Sequence, residues 1–304
     1  MPPILPPGVY PAAVTPFIDS GALDGPSLMR LLAFFDAAGC KGVVLAGTNG
    51  EGPSLSSFEK RDLLRSSHPW AGRLKLILGI ATSSLTEAKW LCRQAGTSGA
   101  EAVLVMPPSY FRNVDEVGLE AWFKEVLDSS PVPVLVYNFP KMSGLALSPS
   151  MIGRLGRHSN MLGVKDSSGE ASNLSAYREV LGVDKQLFVG DETLLVQALR
   201  LGWSGTISGA SNVMPTWMSK IVRLWEAGDT IEATKNFEFV LPVIAEIRRS
   251  PQPATHKAVL QGLSILATAE PRLPLVKCGA GSILDLLASR LGIRPGELGL
   301  TPAC

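Results

Sequence analysis

Three places in this sequence have the residue types and placement to do carbonyl chemistry. Lys165 ends the apolar run Gly163-Val164-Lys165, where burying an ammonium is costly unless the amine is neutralised or used. Desolvation can turn a lysine into a nucleophile that condenses with a ketone to give a carbinolamine and then an imine. The competing reading is a structural salt bridge to a neighbouring carboxylate. Tyr137 ends the preceding apolar run, VLVYNFP, so its phenol is placed to pass protons between amine, substrate and water. A packing role with a hydrogen-bonded hydroxyl is the alternative. The turn Gly47-Thr48-Asn49-Gly50-Glu51 combines glycines, which let backbone approach a ligand, with a hydroxyl and an amide able to hold a carboxylate. The same residue types also make ordinary turns.

These residues need a frame that brings distant strand ends together. Eight short β-branched or apolar runs alternate with longer helical segments, the pattern of repeated βα units around a parallel sheet. The runs are Tyr10–Val14, Gly42–Ala46, Leu76–Ile80, Ala102–Met106, Val134–Tyr137, Leu162–Lys165, Leu187–Val189 and Gly205–Ser208. Helix starts are signalled by Ser56 ahead of Glu59, Ser84 ahead of Glu87, and Ser148 ahead of Pro149. Eight such units predict an α/β fold, a closed (β/α)8 TIM barrel. A doubly wound open sheet would carry a glycine-rich phosphate turn after its first strand, and Thr15-Pro16-Phe17 stands there instead.

After the eighth strand, Trp217, Ile221, Leu224 and Trp225 recur at helical spacing and more apolar segments follow. They predict the last barrel helix and a C-terminal helical extension, in one domain over residues 1–304 with the barrel at about 8–228 and the extension at about 229–304. The stretch from Ser250 to Lys257 reads as an ordered turn between helices. In such barrels the site lies at the C-terminal ends of the strands. The polar residues there are Thr48, Asn49, Glu51, Tyr110, Tyr137, Asn138, Lys165, Asp166, Asp191 and Glu192.

Bulk properties narrow the function classes. The chain has 304 residues, 46% hydrophobic and 18% charged, with 28 basic against 27 acidic side chains and a formal charge of +1. It has core material in plenty, and no run of one sign that would bind nucleic acid or anionic lipid. The proline-broken N-terminus lacks a basic leader pattern and no apolar run approaches the roughly 20 residues of a membrane span, so a cytoplasmic protein is expected. Cys40, Cys92, Cys278 and Cys304 are dispersed, as are His68, His158 and His256, which predicts no metal site and histidines that are ordinary surface or partly buried ones.

Taken in order, seven strings carry a further signal: YPAAVTPF (Tyr10 to Phe17), GTNGEGPSL (Gly47 to Leu55), PPSYF (Pro107 to Phe111), YNFP (Tyr137 to Pro140), GVKDSSG (Gly163 to Gly169), VGDE (Val189 to Glu192) and GTISGASN (Gly205 to Asn212). With these the chain resembles, along nearly its whole length, the dihydrodipicolinate synthase and N-acetylneuraminate lyase family of class I aldolases. The resemblance implies Lys165 as the imine lysine for pyruvate or a related 2-oxo acid, with no separate cofactor. It implies Tyr137 as proton relay, Thr48 with Asn49 as the carboxylate turn, and Ile207 as the position whose backbone carbonyl faces the site. Tyr110 falls on the tyrosine that members lend across a tight dimer interface, which implies a homo-oligomer, a dimer or a dimer of dimers.

Two departures bear on the second substrate. Met142 stands where the synthases that make the lysine precursor carry an arginine for the carboxylate of aspartate semialdehyde, and methionine cannot form that fork. Asn49, Pro53 and Lys165-Asp166-Ser167 resemble 4-hydroxy-2-oxoglutarate aldolases, with Ser167 placed to touch the distal half of a hydroxylated substrate. The first expectation is therefore reversible cleavage of a 4-hydroxy-2-oxo acid, of the 4-hydroxy-2-oxoglutarate or 2-keto-3-deoxy sugar acid type. The second is condensation of pyruvate with aspartate semialdehyde. A third is a barrel that only binds a 2-oxo acid, which the presence of Lys165, Tyr137 and Thr48 speaks against.

Overall fold

The computed structural model describes residues 5–295, so Cys304 and the first four residues of the N-terminal stretch lie outside the described residues. Eight parallel strands form one sheet: β1 (Gly8–Pro11), β2 (Gly42–Leu45), β3 (Lys75–Ile80), β4 (Ala102–Val105), β5 (Val134–Asn138), β6 (Met161–Asp166), β7 (Gln186–Val189) and β8 (Gly205–Ser208). From β2 to β8 each strand pairs with the next in sequence, and β1 pairs with β8. The barrel closes between β1 and β2, where Lys41 N donates to Val9 O and Ala13 N to Val44 O, each at 3.0 Å. The expected α/β barrel is therefore the observed fold.

The strands fall where the apolar runs do, with one displaced. The first was expected over Tyr10–Val14, but β1 ends at Pro11. Beyond it Ala12 N still donates to Ser208 O of β8 at 2.9 Å while Ala12 bridges Val44 of β2, and Val14 N donates to the Asn212 side chain at 3.0 Å, so the chain crosses from β8 toward β2 and closes the barrel. Strand β2 stops before Ala46, whose φ of 53° turns the chain into the loop that follows.

Helices α1 (Gly25–Ala37), α2 (Ser57–Ser67), α3 (Leu85–Thr97) and α4 (Glu116–Ser129) follow the first four strands. The one-turn α5 (Pro140–Ser143) and α6 (Pro149–Gly156) follow β5, and α7 (Ala171–Leu181), α8 (Leu195–Arg200) and α9 (Pro215–Glu226) the last three. The extension comprises α10 (Thr230–Arg249), α11 (Ala254–Gly262) and α12 (Ile283–Leu291). Ser56 and Glu59 form a complete capping box. Ser84 caps Glu87 N at 3.2 Å, but the Glu87 carboxylate turns to Ser57 and Thr82, so only half of that box forms. Ser148 caps Met151 N at 3.1 Å with Pro149 in the first turn. The expected turn at Ser250–Lys257 is shorter, because α11 begins at Ala254 and takes His256 and Lys257 into its first turns. Among the described residues no helix is long and apolar enough to cross a membrane.

Alternation along each strand divides the core in two. Tyr10, Val44, Ile77, Leu104, Leu135, Phe188 and Ile207 point inward and fill the barrel, while their neighbours in sequence pack the sheet against the helices. Tyr137 and Lys165 are register partners on the inward side of β5 and β6. Strand period and register thus carry both side chains to one end of the barrel.

Candidate active site

A cavity of about 320 Å³ opens at the C-terminal ends of the strands. Lys165, Tyr137, Thr48, Asn49, Ser167 and Ile207 all line it. Lys165 is 4% exposed, and its ammonium lies 4.1 Å from the centroid of the Tyr137 ring. Among the described residues it makes no ion pair, so the salt-bridge reading of this lysine has no partner. The adjacent Asp166 is engaged elsewhere: it accepts from Asn138 Nδ2 at 2.7 Å and from Ser168 Oγ at 2.8 Å. Burial still raises the Asp166 pKa, the two donors opposing it. Tyr137 stacks on Phe139 with centroids 5.7 Å apart, which fixes the plane of the phenol beside the amine.

The crowding around Lys165 depends on a missing side chain. A Cβ on Gly190, just past β7, would stand 1.9 Å from Ser167 Oγ and 3.0 Å from Lys165 Cε. Across the cavity, a Cβ on Gly209 would stand 2.7 Å from Asn49 Nδ2. Both glycines let polar groups approach the cavity wall where any side chain would displace them. The turn bearing Thr48 and Asn49 is held from several sides: Thr15 Oγ1 donates to Gly50 O at 2.6 Å and Gly52 N to Gly47 O at 3.0 Å.

The wall opposite has features that strand-end reasoning only half anticipated. Asp191 and Glu192 line the cavity, and so do Arg248 and Gln252 from the C-terminal extension. Arg248 forks onto Asp191 with bonds of 2.6 and 2.9 Å, and its Nη1 lies 3.5 Å from Glu192. Glu192 also accepts from Ala210 N at 2.9 Å. Nothing local in the sequence places an arginine 57 residues beyond Asp191 against it. Its helical surroundings alone read as a solvated face. Met142 lines the cavity as well, so the position expected to discriminate second substrates is at the site.

Other expected residues lie away from the cavity. Tyr110 is 78% exposed in the loop after β4, its ring edge-on to Phe111 and its backbone N donating to Ser83 Oγ at 3.2 Å. Asn138 turns from the cavity to join Asp166 and Leu147 N. Glu51 is buried beneath the turn, paired with Lys257. His158 is half-buried against Asp128 at 2.9 Å, as an ordinary histidine would be. His256 corrects the expectation for the histidines: at 1% exposure it is fully buried, because α11 faces the barrel, and burial lowers its pKa to about 4. Among the described residues no group of three His, Cys, Asp or Glu is arranged to hold a metal ion.

Comparison with known proteins agrees with this architecture. The 4-hydroxy-tetrahydrodipicolinate synthase of Listeria innocua is 36% identical over 246 residues, covering 80% of this chain and 83% of that one. The enzyme of the same name from Methanothrix thermoacetophila is 32% identical over 270 residues, covering 88% and 90%. Among solved structures, a dihydrodipicolinate synthase from Bacillus anthracis superposes with a TM-score of 0.88 at 27% identity, over 95% of this chain and 99% of that one. YagE, a prophage protein from E. coli K12 solved in complex with pyruvate, gives a TM-score of 0.88 at 25% identity over 94% and 99%. The Dihydrodipicolinate synthetase family profile matches residues 6–283. With the barrel, the strand-end lysine and this match in hand, the chain belongs to the dihydrodipicolinate synthetase family and is an enzyme of the class I aldolase type.

Proposed function

We propose that this enzyme makes or breaks a carbon–carbon bond at the methyl carbon of pyruvate held as an imine on Lys165. The observation that carries the reading is the Lys165 amine, buried in the cavity without an ion-pair partner among the described residues and set against the Tyr137 ring. The amine adds to the ketone carbon, and the carbinolamine loses water to give the imine. The protonated imine draws electrons from the methyl carbon, which loses a proton to form the enamine. The enamine carbon attacks an aldehyde, the new alkoxide takes a proton, and water releases the product; cleavage runs the same steps backward. Tyr137 moves the protons, while Thr48 and Asn49 hold the carboxylate and orient the ketone.

Two second substrates compete. The relatives' name, 4-hydroxy-tetrahydrodipicolinate synthase, supports condensation with aspartate semialdehyde, the second of the expectations from sequence. We place it first on that ground. Met142 in the cavity is the specific observation that favours cleavage of a 4-hydroxy-2-oxo acid, because a thioether cannot replace a guanidinium fork. Exposure of Tyr110 away from its own cavity supports a homo-oligomer in which it serves a neighbouring site.

Borohydride reduction in the presence of pyruvate, followed by mass spectrometry, tests the imine. Wild type gains a reduced pyruvyl adduct and Lys165→Ala does not, whereas a wild type without adduct leaves only a binding role. Turnover with aspartate semialdehyde against 4-hydroxy-2-oxoglutarate and 2-keto-3-deoxy acids then chooses the branch. Tyr110→Phe keeps the adduct and loses turnover, and unchanged turnover removes Tyr110 from the relay.

A further inference from the structure

Beneath the Gly47–Glu51 turn, α11 presents two consecutive side chains that the reaction scheme does not use. Lys257 is completely buried; its ammonium pairs with the Glu51 carboxylate, donates to Glu270 O at 2.7 Å and lies 4.2 Å from the centroid of the Phe17 ring. The Glu51 side chain is itself fully buried and accepts from Arg272 N at 2.7 Å. Arg272 lies over the same Phe17 ring at 4.5 Å and reaches Gly21 O, Ser54 O and Glu59. One residue earlier, His256 Cε1 is 3.1 Å and Asn49 Nδ2 2.7 Å from the point where a Gly209 Cβ would stand. One helix of the C-terminal extension therefore pairs with the turn at Glu51, and its His256 stands against the same Gly209 that the Asn49 side chain approaches.

Stability alone is a poor account of this pair. Burying two charges carries a large desolvation cost, and apolar residues of the same size often stabilise a fold as well or better. A buried pair does supply fixed geometry, since any other pose strands a charge. Glu51 also needs holding, because its φ of 54° is left-handed, a conformation strained for a residue with a Cβ. The donors two and three residues before it must meet a carboxylate to within about 0.5 Å to be effective.

We propose that Lys257 is a positioning residue: through Glu51 it sets the pose of the Thr48–Asn49 turn and hence the affinity for the 2-oxo acid carboxylate, which makes the C-terminal extension part of the substrate site. The inference rests on the proposed role of Thr48 and Asn49 in holding pyruvate.

The test is Lys257→Met in the full chain, with pyruvate titrated in both the borohydride-trapping and the steady-state assay. The expected result is a KM for pyruvate raised roughly tenfold or more with kcat at saturation within about threefold of wild type. Lys257→Met combined with Glu51→Gln regains melting temperature, by removing the stranded carboxylate, without regaining KM. A variant that melts lower but keeps the wild-type KM has lost packing only, and the proposal is overturned. If Lys257→Met does not fold, Glu51→Gln alone decides: it keeps the side-chain size, and a KM equal to wild type overturns the proposal while a severalfold rise supports it. A wild type that takes no pyruvate overturns the imine reading and this inference together. Adduct formation in wild type with unchanged variants overturns this inference alone.

Discussion

At the scale of single residues, the site is governed by contact distances more than by charge. Gly190 is the clearest instance, because a methyl group there would occupy space held by Ser167 Oγ and abut Lys165 Cε. The lysine stem has no room to retreat at 4% exposure, so Gly190→Ala must push the amine or Ser167 out of place. We expect kcat/KM to fall by about 100-fold, the order of loss that an ångström of misplacement produces, with a lower yield of the pyruvyl adduct. Wild-type kinetics in Gly190→Ala would mean that the geometry around Lys165 is slack. Met142 lines the same cavity, and its proposed effect lies at the same scale in the opposite sense, on what the second substrate meets and not on the lysine.

Between elements, the decisive joint is the one linking the ends of β5 and β6. Tyr137 and Lys165 are register partners, and one step further along Asn138 ties the strands together through side chains as well. Its amide donates to Asp166 at 2.7 Å, and its carbonyl accepts from Leu147 N at 3.1 Å, in the segment leading to α6. All three groups are buried, so Asn138→Ala leaves Leu147 N without its acceptor and Asp166 without one of its donors. The loss should be roughly 2 kcal/mol of stability, as for a buried bond to a charged group. Because the same joint aligns the phenol with the amine, kcat should fall too. Chemical denaturation beside turnover checks this: a stability loss with unaltered kcat would show that backbone pairing alone sets the alignment.

For the molecule as a whole, the extension and the barrel share one core and one set of buried polar groups, and pH should expose that union. His256 is held neutral by burial, with a pKa near 4 against 6.5 when exposed. Between those values the unfolded chain binds more protons than the folded one, so stability is fully present above about pH 6.5 and declines as pH falls toward 4. The span of the shift corresponds to something on the order of 3 kcal/mol. His256→Leu, which cannot titrate, should flatten the decline between pH 6.5 and 4 in thermal melts, and equal slopes in both proteins would count against a buried neutral histidine. Glu59 acts in a lower window: Arg272 holds its carboxyl down to about 2, so that contribution is lost only as pH drops below about 4.5.

How much of this was legible from residue order follows from the range of each interaction. Strand period, apolar runs and caps are local, and they placed eight strands, the helix starts at Ser56 and Ser148, and Lys165, Tyr137, Thr48 and Asn49 at strand ends. The family, and through it the cavity, was readable because its motifs sit at those same ends. Long-range pairing was not. Arg248 on Asp191, Lys257 under Glu51 and His256 behind Gly209 join residues far apart in the chain, and Arg248, Lys257 and His256 taken alone read as solvated or ordinary side chains. Only closure of the barrel and the return of α10 and α11 across its mouth decide them, because burial, which makes a charge or an imidazole consequential, is a property of the folded assembly and not of the neighbouring sequence.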